Sequence, residues 1–181
     1  MTDKKMEESK LDKLSNLIHY IVWKCQDNPS TLGSTKLNKI LWHCDTVAYK
    51  DLGKPITQTE YKKLQHGPVP KFEFLKNAEN SLEKQGKIIS YINDSGQYQQ
   101  KQFVAKTRPD ISDFTAEQIS IIDEIIYQIA RKTASVASEE THQNFWWNSL
   151  KIGDEIPNYC IFAKPAEINL EDVVWASEQQ V

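Results

Sequence analysis

One stretch of this chain alternates apolar and polar residues, and the segments on either side of it repeat at three and four. KIISYI and YQQKQFVA flank the turn-forming NDSGQ, so residues 87 to 105 are expected to form a β-hairpin. The apolar stripes before and after it are expected to be helical. Leu11, Leu14, Leu17, Ile18, Ile21, Val22 and Cys25 mark one apolar stripe, on a helix from about residue 8 to Asp27. Leu37, Ile40, Leu41, Cys44, Val47 and Ala48 mark a second, opened by Ser34 or Thr35 and stopped by Gly53-Lys54-Pro55. These two helices are expected to pack together, with Leu17, Ile21, Leu41 and Cys44 buried. A third helix is expected from Pro70 to about Gln85 through Phe72, Leu75, Ala78 and Leu82.

Thr57-Gln-Thr-Glu60 and Thr115-Ala-Glu-Gln118 both have capping-box spacing. The first suggests a short helical turn, and the second opens a long helix through Ile119, Ile122, Ile126 and Ile129. Short helices are expected in TASVASEETH and FWWNSL, then a proline-entered turn at IPNYC and a terminal helix. The fold class is therefore mostly α (α+β): a compact helical domain with one β-hairpin and a winged-helix-like order of elements. Residues 1–9 read as a polar N-terminal tail, 10–165 as the domain, and 166–181 as a C-terminal helix packing on it.

Composition narrows the function. The net charge of −3 is uneven: residues 1–35 are neutral, 36–90 carry +4 and 91–181 carry −7. Arg108 and Arg131 are the only arginines, and the third helix mixes lysines with Glu73, Glu79 and Glu83. Little counterion-release energy is left for DNA, so nucleic acid is an unlikely partner. No apolar run approaches a membrane span and the start, MTDKKMEESK, is no secretory signal, so a cytoplasmic location is expected. Three widely spaced cysteines make neither a disulfide framework nor a zinc pattern, and no His or Cys spacing suits a metal. There is no nucleophile elbow and no phosphate loop. The expectation is a protein without catalytic residues, metal or cofactor.

LQHGPVP, residues 64 to 70, has two readings. Gly67 can take a positive φ while Pro68 and Pro70 fix theirs, which makes a rigid corner. The same rigidity would present His66 at a recognition edge. The aromatics also divide. Trp42 and Tyr49 lie seven residues apart on the second helix, a half-buried ridge with Lys39 and His43 on its polar side, and Trp146-Trp147 should leave one ring near the surface. Either these rings pack under loops or they bind a partner; with His66, the candidate partner-binding residues are Trp42, Tyr49, Lys39, His43, His66 and Trp147.

The order Lys36-Leu37-Asn-Lys39-Ile40-Leu41 with Trp42, then Gly53-Lys-Pro55-Ile56, then Tyr61 and Gly67-Pro68-Val69 resembles the signature of the Panacea, or SocA-like, antitoxin domain, also described as a phage-associated protein family. The resemblance extends more loosely to His142, Trp146-Trp147 and Gly153-Asp-Glu-Ile-Pro157. It departs at His66, where the family has another aromatic, and at Ile156-Pro157-Asn158-Tyr159, where the family often reads Ile-Pro-Tyr. The resemblance implies the antitoxin half of a bacterial or phage toxin–antitoxin pair, neutralising a cognate protein toxin by direct contact without catalysis. The alternative is a winged-helix-like regulator or phage accessory protein acting on nucleic acid or a host protein.

Overall fold

A computed structural model describes residues 3–94 and 99–163. The expected terminal helix at 166–181 and the tip of the 87–105 hairpin lie outside the described residues. Helix α1 (Asp3–Lys24) is followed by α2 (Ser34–Leu52), strands β1 (Tyr61–Leu64) and β2 (Gly67–Pro70), and α3 (Phe72–Lys84). Next come β3 (Ile88–Asp94), β4 (Gln99–Ala105), α4 (Ala116–Ala130), α5 (Ala134–His142), α6 (Phe145–Ser149) and β5 (Glu155–Ile156), and a 3-10 turn over Asn158–Phe162. The mostly α character is as expected. Helix α1 starts earlier than its apolar stripe, because the polar residues before Leu11 extend it on its exposed side.

The core is built on α2. Helix α4, strand β2, α1, α5 and the 3-10 turn all pack against it, while α1 lies chiefly on α3. Leu17, Ile21, Leu41 and Cys44 are fully buried, as the stripes require. Thr115 caps α4 with both halves of the capping box: its hydroxyl accepts from Gln118 N–H and its own N–H donates to the Gln118 side chain. Ile122, Ile126 and Ile129 carry α4 into the core.

Two expectations fail between residues 55 and 70. The described residues hold two hairpins, because LQHGPVP forms one of its own: β1 and β2 pair from Tyr61↔Pro70 to Leu64↔Gly67, with β5 on the far side of β1. Pro70 therefore ends a strand, and α3 begins at Phe72. The hairpin sits between the second and third helices, where a winged helix has a turn.

The Thr57 box makes no helix either. Gln58 takes φ 57°, and Thr57 turns its donors onto Asp45 of α2. Asp45 is fully buried; its carboxylate accepts from Thr57 N–H (2.8 Å), Thr57 Oγ1 (2.5 Å) and Tyr61 Oη (2.8 Å). Burial pushes the Asp45 carboxyl above its ordinary value, and the Thr57 and Tyr61 hydrogen bonds pull it back. A buried acceptor with three donors outcompetes the local cap. Asp45→Asn keeps the shape but turns an NH2 toward a donor, and should cost about 3 kcal/mol of stability in urea unfolding. A loss under about 1 kcal/mol would show that Asp45 does not fix this loop.

Candidate protein-binding groove at the first hairpin

The β1–β2 hairpin works as a seat because alternate residues of β1 face inward: Tyr61 and Lys63 are buried, Lys62 and Leu64 exposed. Tyr61 stands edge-on to Trp42, with ring centroids 5.0 Å apart, and Trp42 meets Trp146 at 5.4 Å. Lys63 runs under the hairpin, where Nζ donates to the carbonyls of Trp147 (2.5 Å) and Leu150 (2.9 Å) and lies 4.4 Å from the centre of the Trp147 ring. His142 stacks on the same Trp147 ring, with centroids 4.7 Å apart. These carbonyls and the ring face offset the cost of burying the ammonium.

Lys39 is the second buried ammonium. It is 1 % exposed, and its Nζ donates to Thr141 Oγ1 at 3.0 Å. The Thr141 hydroxyl in turn donates to Ala137 O, so α5 is tied to α2 through this hydroxyl. Burial drives Lys39 down to about 8. The neighbouring His43 is half-buried; burial, then the Lys39 charge, push it down to about 4. Gly67 crosses directly over Lys39: a Cβ built there would lie 2.5 Å from Nζ, and its φ of 141° favours glycine independently. The hairpin turn, Gln65-His66, is exposed and held from one side by Ser138 Oγ, which donates to His66 O at 3.0 Å.

Above this support lies an open groove of about 430 Å3. One wall is the start of α2, with Ser34, Thr35 and Asn38, and the other is the hairpin from Leu64 to Val69, with Ile152 alongside. Its lining is mainly apolar, and Leu64 and Ile152 stand exposed on its rim. Such a groove suits an apolar segment of another protein.

Of the six residues expected to bind a partner, the structure brings only His66 to this surface. Trp42 is 2 % exposed and no ridge; Trp147 and Trp146 are both buried. Helix α6 is a single short turn closed between Trp42 on one side and His142 and Lys63 on the other, so both rings find cover. Lys39 points inward rather than along a polar flank, and Tyr49 lies half-buried against Phe162 near the other end of α2. Asp45 and Lys63 were missed. The signal for Asp45 was its place between Leu41 and Ala48 on the apolar face; for Lys63, its alternation with Tyr61.

Among the described residues, no group of three or more His, Cys, Asp or Glu side chains is placed to hold a metal ion, and no helix is long and apolar enough to cross a membrane. The family model described as antitoxin SocA-like, Panacea domain, matches residues 37–148, from the first turn of α2 into α6. No curated protein and no solved structure matches the chain.

Gly67→Ala should destabilise the fold by about 1–3 kcal/mol, through both φ and the Lys39 contact, while His66→Ala should stay within about 0.5 kcal/mol. Chemical denaturation of the two variants checks the ranking; the reverse order would make the turn, and not the glycine, the structural element. For Lys39, the unfolded chain, titrating near the ordinary 10.5, binds more protons than the folded one between about 8 and 10.5. This group therefore makes stability rise with pH across that window. Lys39→Met should raise stability at pH 7 by about 1 kcal/mol or more, and the gap to wild type should narrow by pH 10. A gap that does not change with pH would mean that the Lys39 ammonium is not the source.

Proposed function

The chain belongs to the SocA-like antitoxin, Panacea-domain family, and we propose that it is the antitoxin of a toxin–antitoxin pair, neutralising a cognate protein toxin by binding it at the groove beside the first hairpin. The observation that carries this reading is the pairing of an exposed apolar groove with a rigid support of buried, partnered ammoniums. A family member that acts by contact needs a surface that keeps its shape before the partner arrives, because preorganisation spares the entropy of ordering it on binding. His66, Leu64 and Val69 are the contacts in this reading, and Ile152 borders them. Trp42, Lys39 and Trp147 act through the position they give the hairpin, the half-buried His43 lies beside Lys39, and Tyr49 lies apart, against Phe162. The function is binding and not catalysis, and the site of action is the cytoplasm.

The test is co-expression with the toxin-like reading frame adjacent to this gene, scored for growth. Leu64→Asp with Ile152→Asp changes two exposed side chains, so thermal unfolding should move little while growth rescue and co-purification are lost. Full rescue by this folded double variant would move the toxin-binding surface elsewhere. No rescue by the wild-type chain beside any neighbouring frame, with selective binding to duplex DNA at physiological salt, would favour the regulator instead.

A further inference from the structure

The two sheets treat their edges differently. In the first sheet the order is β2-β1-β5, so β2 and β5 are the edges: β2 carries Pro68 and Pro70 and lies against α2, and β5 is two residues long. Prolines, short strands and covering helices are the usual means of blocking edge-to-edge pairing. On strand β3 the cover is α3, which packs on one face, where Ser90 Oγ donates to Glu83. The strand runs seven residues, pairs among the described residues only with β4, contains no proline, and exposes Ile89 (49 %), Tyr91 (45 %) and Ile92 (58 %).

Its free edge can be read from one bond. Lys106 N–H donates to Lys87 O at 2.8 Å, so Lys87 faces β4. Alternation then turns the peptide groups of Ile89, Tyr91 and Asn93 toward β4, and those of Ile88, Ser90 and Ile92 away from it. We propose that β3 pairs antiparallel with β3 of a second copy of this chain, about a two-fold axis at Ser90, joining the two hairpins into one four-stranded sheet.

Self-complementarity selects both the occupant and the register. An antiparallel two-fold places side chains of the same face opposite each other, so the axis passes through a residue. At Ser90 it sets Ile89 against the second copy's Tyr91 on the open face. It also sets Ile88 against Ile92 on the α3 face. Lys87 meets neutral Asn93, so no like charges face. An axis at Tyr91 would instead oppose Ile89 to Asn93 and Ile88 to Asp94, leaving every isoleucine against a polar side chain. The strand is thus better matched to its own copy about Ser90 than about Tyr91. This interface is remote in role from the groove and does not rest on the antitoxin reading.

Site-specific oxidation of the full chain tests it. In this register the two Ser90 Cα atoms are a hydrogen-bonded pair about 5.5 Å apart, which a disulfide can span. The two Asn93 are about 20 Å apart along the strands. The native Cys25, Cys44 and Cys160 are buried, and wild type serves as the control. Under mild oxidant Ser90→Cys should give a covalent dimer and Asn93→Cys should not. By sedimentation the wild type should be a concentration-dependent dimer, and Ile89→Lys with Ile92→Lys should weaken it about tenfold or more, with unchanged helical content. Equal cross-linking at 90 and 93, or a monomer at every concentration, would overturn the proposal. So would protection of the Ser90 and Ile92 amides from exchange only when the toxin is present, an outcome that would assign the edge to a strand of the toxin.

Discussion

A helix enclosed on most of its circumference can carry polar side chains inward only if each finds a partner, and α2 carries four: Lys36, Lys39, Asp45 and Thr46 are all buried. Thr46 returns its hydroxyl to Trp42 O, within its own helix. The other three reach out, each to a different element. Lys36 donates to Ala130 O at the C-terminal end of α4, where the free carbonyls of a helix favour a cation. Lys39 holds α5 through Thr141, and Asp45 holds the 55–61 segment through Thr57 and Tyr61. Apolar burial brings these elements to α2 without fixing their rotation or register; the three directional contacts do that. The first hairpin inherits its position from all of them.

Much of this fold was legible from periodicity. The stripes through Leu17 and Ile21, Leu37 and Leu41, and Ile122 and Ile126 are core in the structure, Thr115 and Gln118 form the box their spacing announces, and the alternating stretch is a hairpin. What periodicity misses is structure held by polar side chains. Thr57 and Thr115 have the same local spacing, yet one box forms and the other gives way to a carboxylate twelve residues earlier. Strand β2 is hidden because Gly67, Pro68 and Pro70 read as a breaker, although an edge strand tolerates proline.

The site was half legible for a related reason. LQHGPVP stood out, though as a corner and not as the hairpin it forms. Lysines, however, are placed on polar faces by default, and here Lys39 and Lys63 are interior, each on carbonyl, hydroxyl or ring partners supplied from elsewhere in the chain. With the ammoniums inside, the tryptophans beside them are inside as well. Lys39, Trp42 and Trp147 thus lie beneath the groove, while His66 lies on its surface.

The sequence separations of those anchors have a consequence for synthesis. Thr141 lies 102 residues after Lys39, and the Trp147 carbonyl 84 residues after Lys63. A chain emerging from the ribosome has made α2 and both strands of the hairpin long before α5 and α6 exist to receive their ammoniums. Until then two lysine charges have no interior partners, and the hairpin cannot settle on α2 without burying them bare. The groove is therefore completed only once α5 and α6 have emerged. For the same reason, cleavage between α4 and α5 that releases the later helices would dissolve the groove while leaving the α1–α4 stripes intact.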